Sequence, residues 1–400
     1  MNVVTSSLAR DAGPRTQATS ISLLLLLWVA TLSIFPLYVF PPASVQVSDM
    51  LMAVVILLVS LSRGYPLPAG ARSVVAAFVL FAWYVVLISI YRTMQTGSTD
   101  MMMFAAYYAF NVLRLVTILR LYARYRERFL RMTLYGLLGA ALLLLAISVP
   151  APLSLRRAEL SFNNPNQLGY FALLGVSIVY VLTSTIKVRW FVQAFGYLSM
   201  IWFAALSLSK AAMISMAAIG IVAVFRRNLM ILILGLALVS SYASADPNGE
   251  FIERLIGRFA TLGQSKDDSW QARGYGRFTD YPEYLVLGAG EGDYGRFDKA
   301  SGRRRPQELH STMGTLIFAY GIPGSLLFFA GLAAIVRMAG LQMSLLLGPV
   351  LFVYGLGHQG LRFGFFWVLL ALLFCAGHAR RAVASPAEAP TLVPASRGAR

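Results

Sequence analysis

The chain has 400 residues, a formal net charge of +17 and 58% hydrophobic residues, with only 13% charged. The charged share is about half of what soluble domains carry, and a soluble fold of this size would leave large apolar patches in water. A soluble enzyme and a disordered chain are thereby excluded, and the positive charge implies no nucleic-acid partner until it is placed along the chain.

Residues 1–20 are polar and carry Arg10 and Arg15. The apolar run that follows has no small-residue cleavage site before the next run, which reads as a retained first transmembrane helix and not a secretory signal. Apolar runs near span length then recur at 21–40, 45–62, 73–91, 101–121, 129–149, 165–186, 190–208, 210–225, 228–245, 311–335, 338–357 and 361–378. None alternates with a two-residue period, so the spanning form is helical. The expectation is an all-α polytopic membrane protein of about 12 transmembrane helices, with one large periplasmic loop between spans 9 and 10. Its parts are a cytoplasmic segment 1–20, spans 1–9 over 21–245, the loop 246–309, spans 10–12 over 310–378 and a disordered cytoplasmic tail 379–400.

The charges support that alternation. With the N-terminus in the cytoplasm, the inside segments carry 18 basic residues, among them Arg63, Arg72, Arg120, Arg124, Arg126, Arg337, Arg380 and Arg381. The short outside connections carry five: Arg92, Arg156, Arg157, Lys210 and Arg362. This asymmetry is the positive-inside rule, so most of the excess charge is a topology signal, with both termini cytoplasmic. The loop 246–309 is different, with ten basic and eleven acidic residues. Long loops in compact proteins are functional or disordered. This one contains Trp270, Tyr275, Phe278, Tyr281 and Tyr284, which predicts a folded cover over the outer mouth of the bundle.

Cys375 is the only cysteine, and His310, His358 and His378 lie far apart with no metal-ligand spacing, so no metal site is expected. No inverted repeat of broken helices is visible, which weakens a transporter reading.

Several residues can carry chemistry. His310 ends the loop and opens span 10, where a neutral imidazole can serve as general base near pH 7 or merely bond a loop carbonyl at a helix start. Arg273, between Trp270 and Gly274, suits bidentate phosphate binding, or a loop ion pair with Asp267 or Asp268. Lys210 stands between two apolar runs and either snorkels to water or serves an anionic ligand. Arg156 and Arg157 could join it or simply be solvated. In Asn163-Asn164-Pro165-Asn166-Gln167, Asn164 fits a helix N-cap with Pro165 at the first position. Asn163, Asn166 and Gln167 remain as an amide-rich entrance suited to sugar hydroxyls. The Gly290–Gly295 match to a dinucleotide fingerprint has no crossover unit around it; a tight turn bringing amides near a ligand is expected. Arg114, inside span 4, should face the bundle interior.

Taken in order, Asn164-Pro165-Asn166, Ser209-Lys210-Ala211, Arg273 before the Gly288–Gly292 turn, and His310 before Gly321-Ile322-Pro323-Gly324 resemble the bacterial O-antigen ligase family, which includes O-antigen and exopolysaccharide polymerases. The resemblance covers roughly residues 160–335. It implies a metal-independent glycosyltransferase of the inner membrane, facing the periplasm and using no cofactor. The implied donor is a glycan on undecaprenyl pyrophosphate, and the acceptor is lipid A-core or a second lipid-linked glycan. It further implies His310 as general base and Arg273 on the pyrophosphate, with Lys210 where the family usually has arginine. The substrate-binding candidates are Lys210, Arg156, Arg157, Asn164, Asn166 and Gln167. The competing expectation is a transporter or flippase for a lipid-linked glycan or small anionic solute. Membrane lipids are partners on either reading, and nucleic acid on neither.

Overall fold

The structure is a computed structural model that describes residues 22–41, 44–62, 64–148, 158–225, 273–297 and 308–384, with scattered positions between 233 and 260. Every regular element among the described residues is helical. The first eight are α1 (Leu23–Ser33), α2 (Val47–Leu61), α3 (Ala71–Thr96), α4 (Asp100–Tyr125), α5 (Glu127–Ser148), α6 (Pro165–Thr183), α7 (Trp190–Ser207) and α8 (Lys210–Phe225). After these come the short α9 (Arg277–Asp280) and α10 (Tyr284–Leu287), then α11 (Thr312–Ala339), the short α12 (Leu341–Ser344) and α13 (Gly364–Ala384).

Seven of these helices are long and apolar enough to cross a membrane: α3, α4, α5, α6, α7, α11 and α13. The expected spans at 21–40, 45–62 and 210–225 appear as shorter apolar helices. At 11 and 15 residues, α1 and α2 reach only about 16 and 22 Å at 1.5 Å per residue, short of a bilayer core. The expected span 338–357 is broken into α12, a π-helical turn Pro349–Tyr354 and a last turn Gly355–Gly357. Gly340, at φ 79° and ψ 150°, starts that break, and Pro349 and the glycines that follow keep it irregular. The run 228–245 lies outside the described residues except at isolated positions, as do the N-terminal segment 1–20 and most of the tail.

Helices α6 and α13 form the centre, with Leu168–Leu182 and Phe365–Ala376 buried throughout. Around them α3 packs on α4 and α11, α1 on α5, and α6 on α7. Trp28 of α1 is fully buried and donates its indole N–H to Thr133 Oγ1 at 2.9 Å. Outward-facing Leu57, Leu80, Trp83, Leu87, Leu142 and Leu326 remain exposed. That is the pattern of a bundle whose outer solvent is lipid.

The two ends of the bundle differ in kind. At one, Arg126 approaches His378 at 3.4 Å, Arg380 donates to Ala339 O at 3.1 Å, and Arg381 donates to Arg337 O. These are residues that the sequence assigns to the cytoplasmic side. The other end gathers the start of α2, α6, α11 and α13, the end of α1 and the described part of the loop.

That loop docks on α11 through a backbone exchange. Ala319 O lacks its ordinary helical donor because the residue four ahead is Pro323, which has no N–H. Gly290 N–H takes its place at 2.8 Å, and Ala289 N–H bonds Phe318 O at 2.8 Å. Gly321 adopts φ 61°, ψ −165° at the kink, a conformation open to glycine; a Cβ there would meet Val286 O at 2.5 Å. Two of the turn's amides, those of Ala289 and Gly290, are thus spent on α11, and that of Gly288 on Tyr284 O, so these three are not offered to a ligand as the sequence led one to expect. From α3, Tyr84 donates to Leu287 O at 2.6 Å and Arg92 donates to Gly288 O at 2.7 and 3.0 Å.

Candidate functional site

At the loop end of the bundle lies a cavity of about 420 Å³, within the size range of small-ligand sites. Its lining combines aromatic rings (Tyr38, Tyr107, Tyr170, Tyr354, Phe363), amides (Gln46, Asn111, Asn163, Asn164, Gln167, Gln359) and four charged residues: Asp49, Arg114, Glu308 and Arg362.

The charged residues are paired. Arg114, in the middle of α4, is buried. It meets Asp49 Oδ1 at 2.7 Å and Asn111 Oδ1 at 2.9 Å, and its guanidinium lies 5.0 Å from the Phe110 ring centre. Arg114 faces inward as expected, and the structure adds its partner, the ion pair with Asp49. Asp49 sits in the first turn of α2, where a carboxylate favours the helix dipole, and it also accepts from Gln46 N–H at 3.3 Å. Gly364 is required beside this pair, because a Cβ there would fall on the Arg114 guanidinium. Gly364→Ala should displace it and cost roughly 1–3 kcal/mol through lost charge-assisted bonds, read as a lower unfolding midpoint in detergent; an unchanged midpoint would contradict this geometry.

Arg362 is held by the loop. Its guanidinium pairs with Glu308 and lies 3.2 Å from Glu291 Oε1, 4.7 Å from the centre of the Phe104 ring. Glu291, from the glycine-rich turn, is only 3% exposed. Its other oxygen accepts from Tyr108 at 2.9 Å and Tyr320 at 2.6 Å, and Gln359 Nε2 donates to Oε1 at 3.3 Å. One loop carboxylate thus ties α4, α11 and the segment before α13 together.

The amide-rich entrance resolves into two jobs. Asn164 caps α6, its side chain accepting from Gln167 N–H at 3.0 Å. Gln167 Oε1 accepts from Asn163 N–H at 3.1 Å. Both side chains still line the cavity with Asn163. Asn166 does not line it; its carbonyl accepts from the Tyr354 hydroxyl at 3.0 Å, and Tyr354 stacks on Tyr170 with centroids 4.3 Å apart and planes at 9°.

His310 and Arg273 are brought together at the cavity's edge without lining it. His310 N–H donates to Arg273 O at 3.2 Å, and the Arg273 guanidinium donates to Gly357 O, two residues before the lining Gln359. Ser311 caps α11, accepting from Gly314 N–H at 2.9 Å, and Thr312 N–H bonds His358 O at 3.1 Å, so the chain leaving His310 is firmly fixed. His310 is an exposed residue. Partial burial first, then the charges of Arg273 and Arg277, hold its pKa below the usual 6.5. Lys210, half-buried, opens α8 after Leu208 in a left-handed conformation, φ 47°, and does not line the cavity. Arg156 and Arg157 lie outside the described residues, as does Trp270.

Sequence reasoning missed Asp49, Glu291, Glu308 and Arg362. Arg362 carried a signal, a basic residue at the edge of an apolar run, but it stood among other outside cations as a topology marker. No protein-family model matches the chain, and no curated protein matches it.

Proposed function

We propose that this chain is an inner-membrane glycosyltransferase that moves a glycan from undecaprenyl pyrophosphate to an acceptor sugar hydroxyl. Acceptors would be lipid A-core, in O-antigen ligation, or a second lipid-linked glycan, in the related polymerisation. The single observation carrying this reading is the cavity, whose aromatic faces, amides and paired charges suit a hydroxyl-rich ligand, with His310 and Arg273 side by side at its edge. On this reading the cavity end faces the periplasm and the arginine-rich end the cytoplasm, with both termini inside. His310 takes the proton from the acceptor hydroxyl as its oxygen attacks the anomeric carbon. The bond to pyrophosphate breaks, and Arg273 steadies the negative charge that gathers on the leaving group.

A gene knockout examined by lipopolysaccharide gel tests the proposal. Full-length chains left on the carrier lipid mark a ligase, and core bearing one repeat unit marks a polymerase. Intact lipopolysaccharide with lost exopolysaccharide marks the exopolysaccharide branch. No change in any surface glycan contradicts the proposal.

The pKa of His310 adds a pH prediction. Because it lies below 6.5, the ring stays a neutral base at pH 7, and transfer falls only on the acid side. Arg277→Met removes a positive neighbour, so protonation becomes easier and the acid limb of the pH–rate profile moves to higher pH. A limb that stays in place or moves lower contradicts His310 as the base.

A second reading, a transporter or flippase for a lipid-linked glycan or anionic solute, draws on the depth of Arg114, about 21 Å along α4 from Asp100 at 1.5 Å per residue. Vesicles separate the two: a transporter moves the lipid-linked glycan across unaltered, whereas the transferase consumes it.

A further inference from the structure

We infer that the cavity is a subsite for an uncharged, hydroxyl-rich sugar segment, and that pyrophosphate binds outside it. This rests on the transferase reading above. The inference comes from charge pairing inside the cavity. Both lining arginines are already committed, Arg114 to Asp49 at 2.7 Å and Arg362 to Glu308 and Glu291. The lining carries two arginines and two carboxylates, with the Glu291 carboxylate directly behind. A phosphate entering this space would have to displace a carboxylate from a partly buried arginine or sit against its negative charge. Both are costly away from water.

A sugar hydroxyl meets no such obstacle, since it donates and accepts at one atom. Each ion pair presents an acceptor and several donors side by side. The entrance supplies more of the same. Asn164 Oδ1 and Gln167 Oε1 are spent on backbone N–H groups, which leaves their amide NH₂ groups as donors. Phe363, partly exposed in the lining, offers an apolar surface for the C–H side of a sugar ring, where burial of apolar surface is favourable, and the buried stacked pair Tyr170–Tyr354 forms the wall beside it. Charged ligand groups fit the separate pair His310 and Arg273, whose surroundings include a second cation, Arg277.

The sole native cysteine, Cys375, is fully buried, so a cysteine placed in the cavity gives a clean probe. Asn163 lines the cavity and engages Gln167 through its backbone N–H, which makes Asn163→Cys a mild replacement. The full-length variant, with an unfolding midpoint matching the parent, is labelled with a maleimide in detergent. Three probes are compared: repeat-unit oligosaccharide hydrolysed from the producing cell's surface polysaccharide and freed of acidic sugars, the acidic pool from the same hydrolysate, and inorganic pyrophosphate. The neutral pool should slow labelling, and pyrophosphate at equal concentration should not. Adding Glu308→Gln should weaken the neutral pool's protection about tenfold, as expected for one lost charge-assisted hydrogen bond. Protection by pyrophosphate, protection by the acidic pool alone, or protection by none of the three overturns the inference. Glycan transfer by the same preparation is measured in parallel. Protection without transfer sinks the transferase reading and leaves the sugar subsite standing; transfer without protection does the reverse.

Discussion

Replacing His310 with alanine should lower glycan transfer by about 10²–10⁴-fold, the usual contribution of a positioned general base, while leaving the protein in the membrane at parental levels. The loss is catalytic and not structural because His310 is an exposed residue and the segment is fixed by neighbours. Ser311 caps α11, Thr312 bonds His358 O, and the His310 backbone bonds Arg273 O. All of these survive the substitution. Arg273→Ala should cost as much in transfer, but it also releases the Gly357 carbonyl, so a modest fall in unfolding midpoint accompanies it. Full surface polysaccharide in both variants would remove these residues from the chemistry.

Glu291→Ala should destabilise the fold by about 3–5 kcal/mol, as expected when one partner of a buried ion pair is deleted. The carboxylate is 3% exposed and receives Tyr108, Tyr320 and Gln359 while pairing with Arg362. Its removal strands two buried hydroxyls at once and leaves the Arg362 guanidinium with Glu308 as its carboxylate partner. Glu291→Gln keeps an acceptor for the tyrosines and should lose less. Chemical unfolding in detergent micelles measures both; a loss under about 1 kcal/mol for Glu291→Ala would mean that the network carries little stability.

The long helices were legible because lipid demands continuous apolar runs, and α3, α4, α5, α6, α7, α11 and α13 stand where those runs stand. The run at 338–357 looked the same by composition, yet glycines and Pro349 break it; hydropathy averages over such interruptions. Asn164 as the cap of α6 was readable because capping is local. The cavity was not readable, because its charges meet across the chain. Asp49 finds Arg114 65 residues away, and Tyr108 finds Glu291 183 residues away. The turn at Gly288–Gly292 looked like a ligand loop because its partner, the carbonyl freed by Pro323, lies on another element.

The most direct test of the central claim uses purified full-length protein in proteoliposomes with undecaprenyl-pyrophosphate-linked glycan, a lipid A-core or lipid-linked acceptor, no nucleotide and a chelator. The account predicts that acceptor gains glycan in step with release of undecaprenyl pyrophosphate, and that both stop in His310→Ala. Donor moved across the bilayer intact, with no acceptor extended, would contradict it.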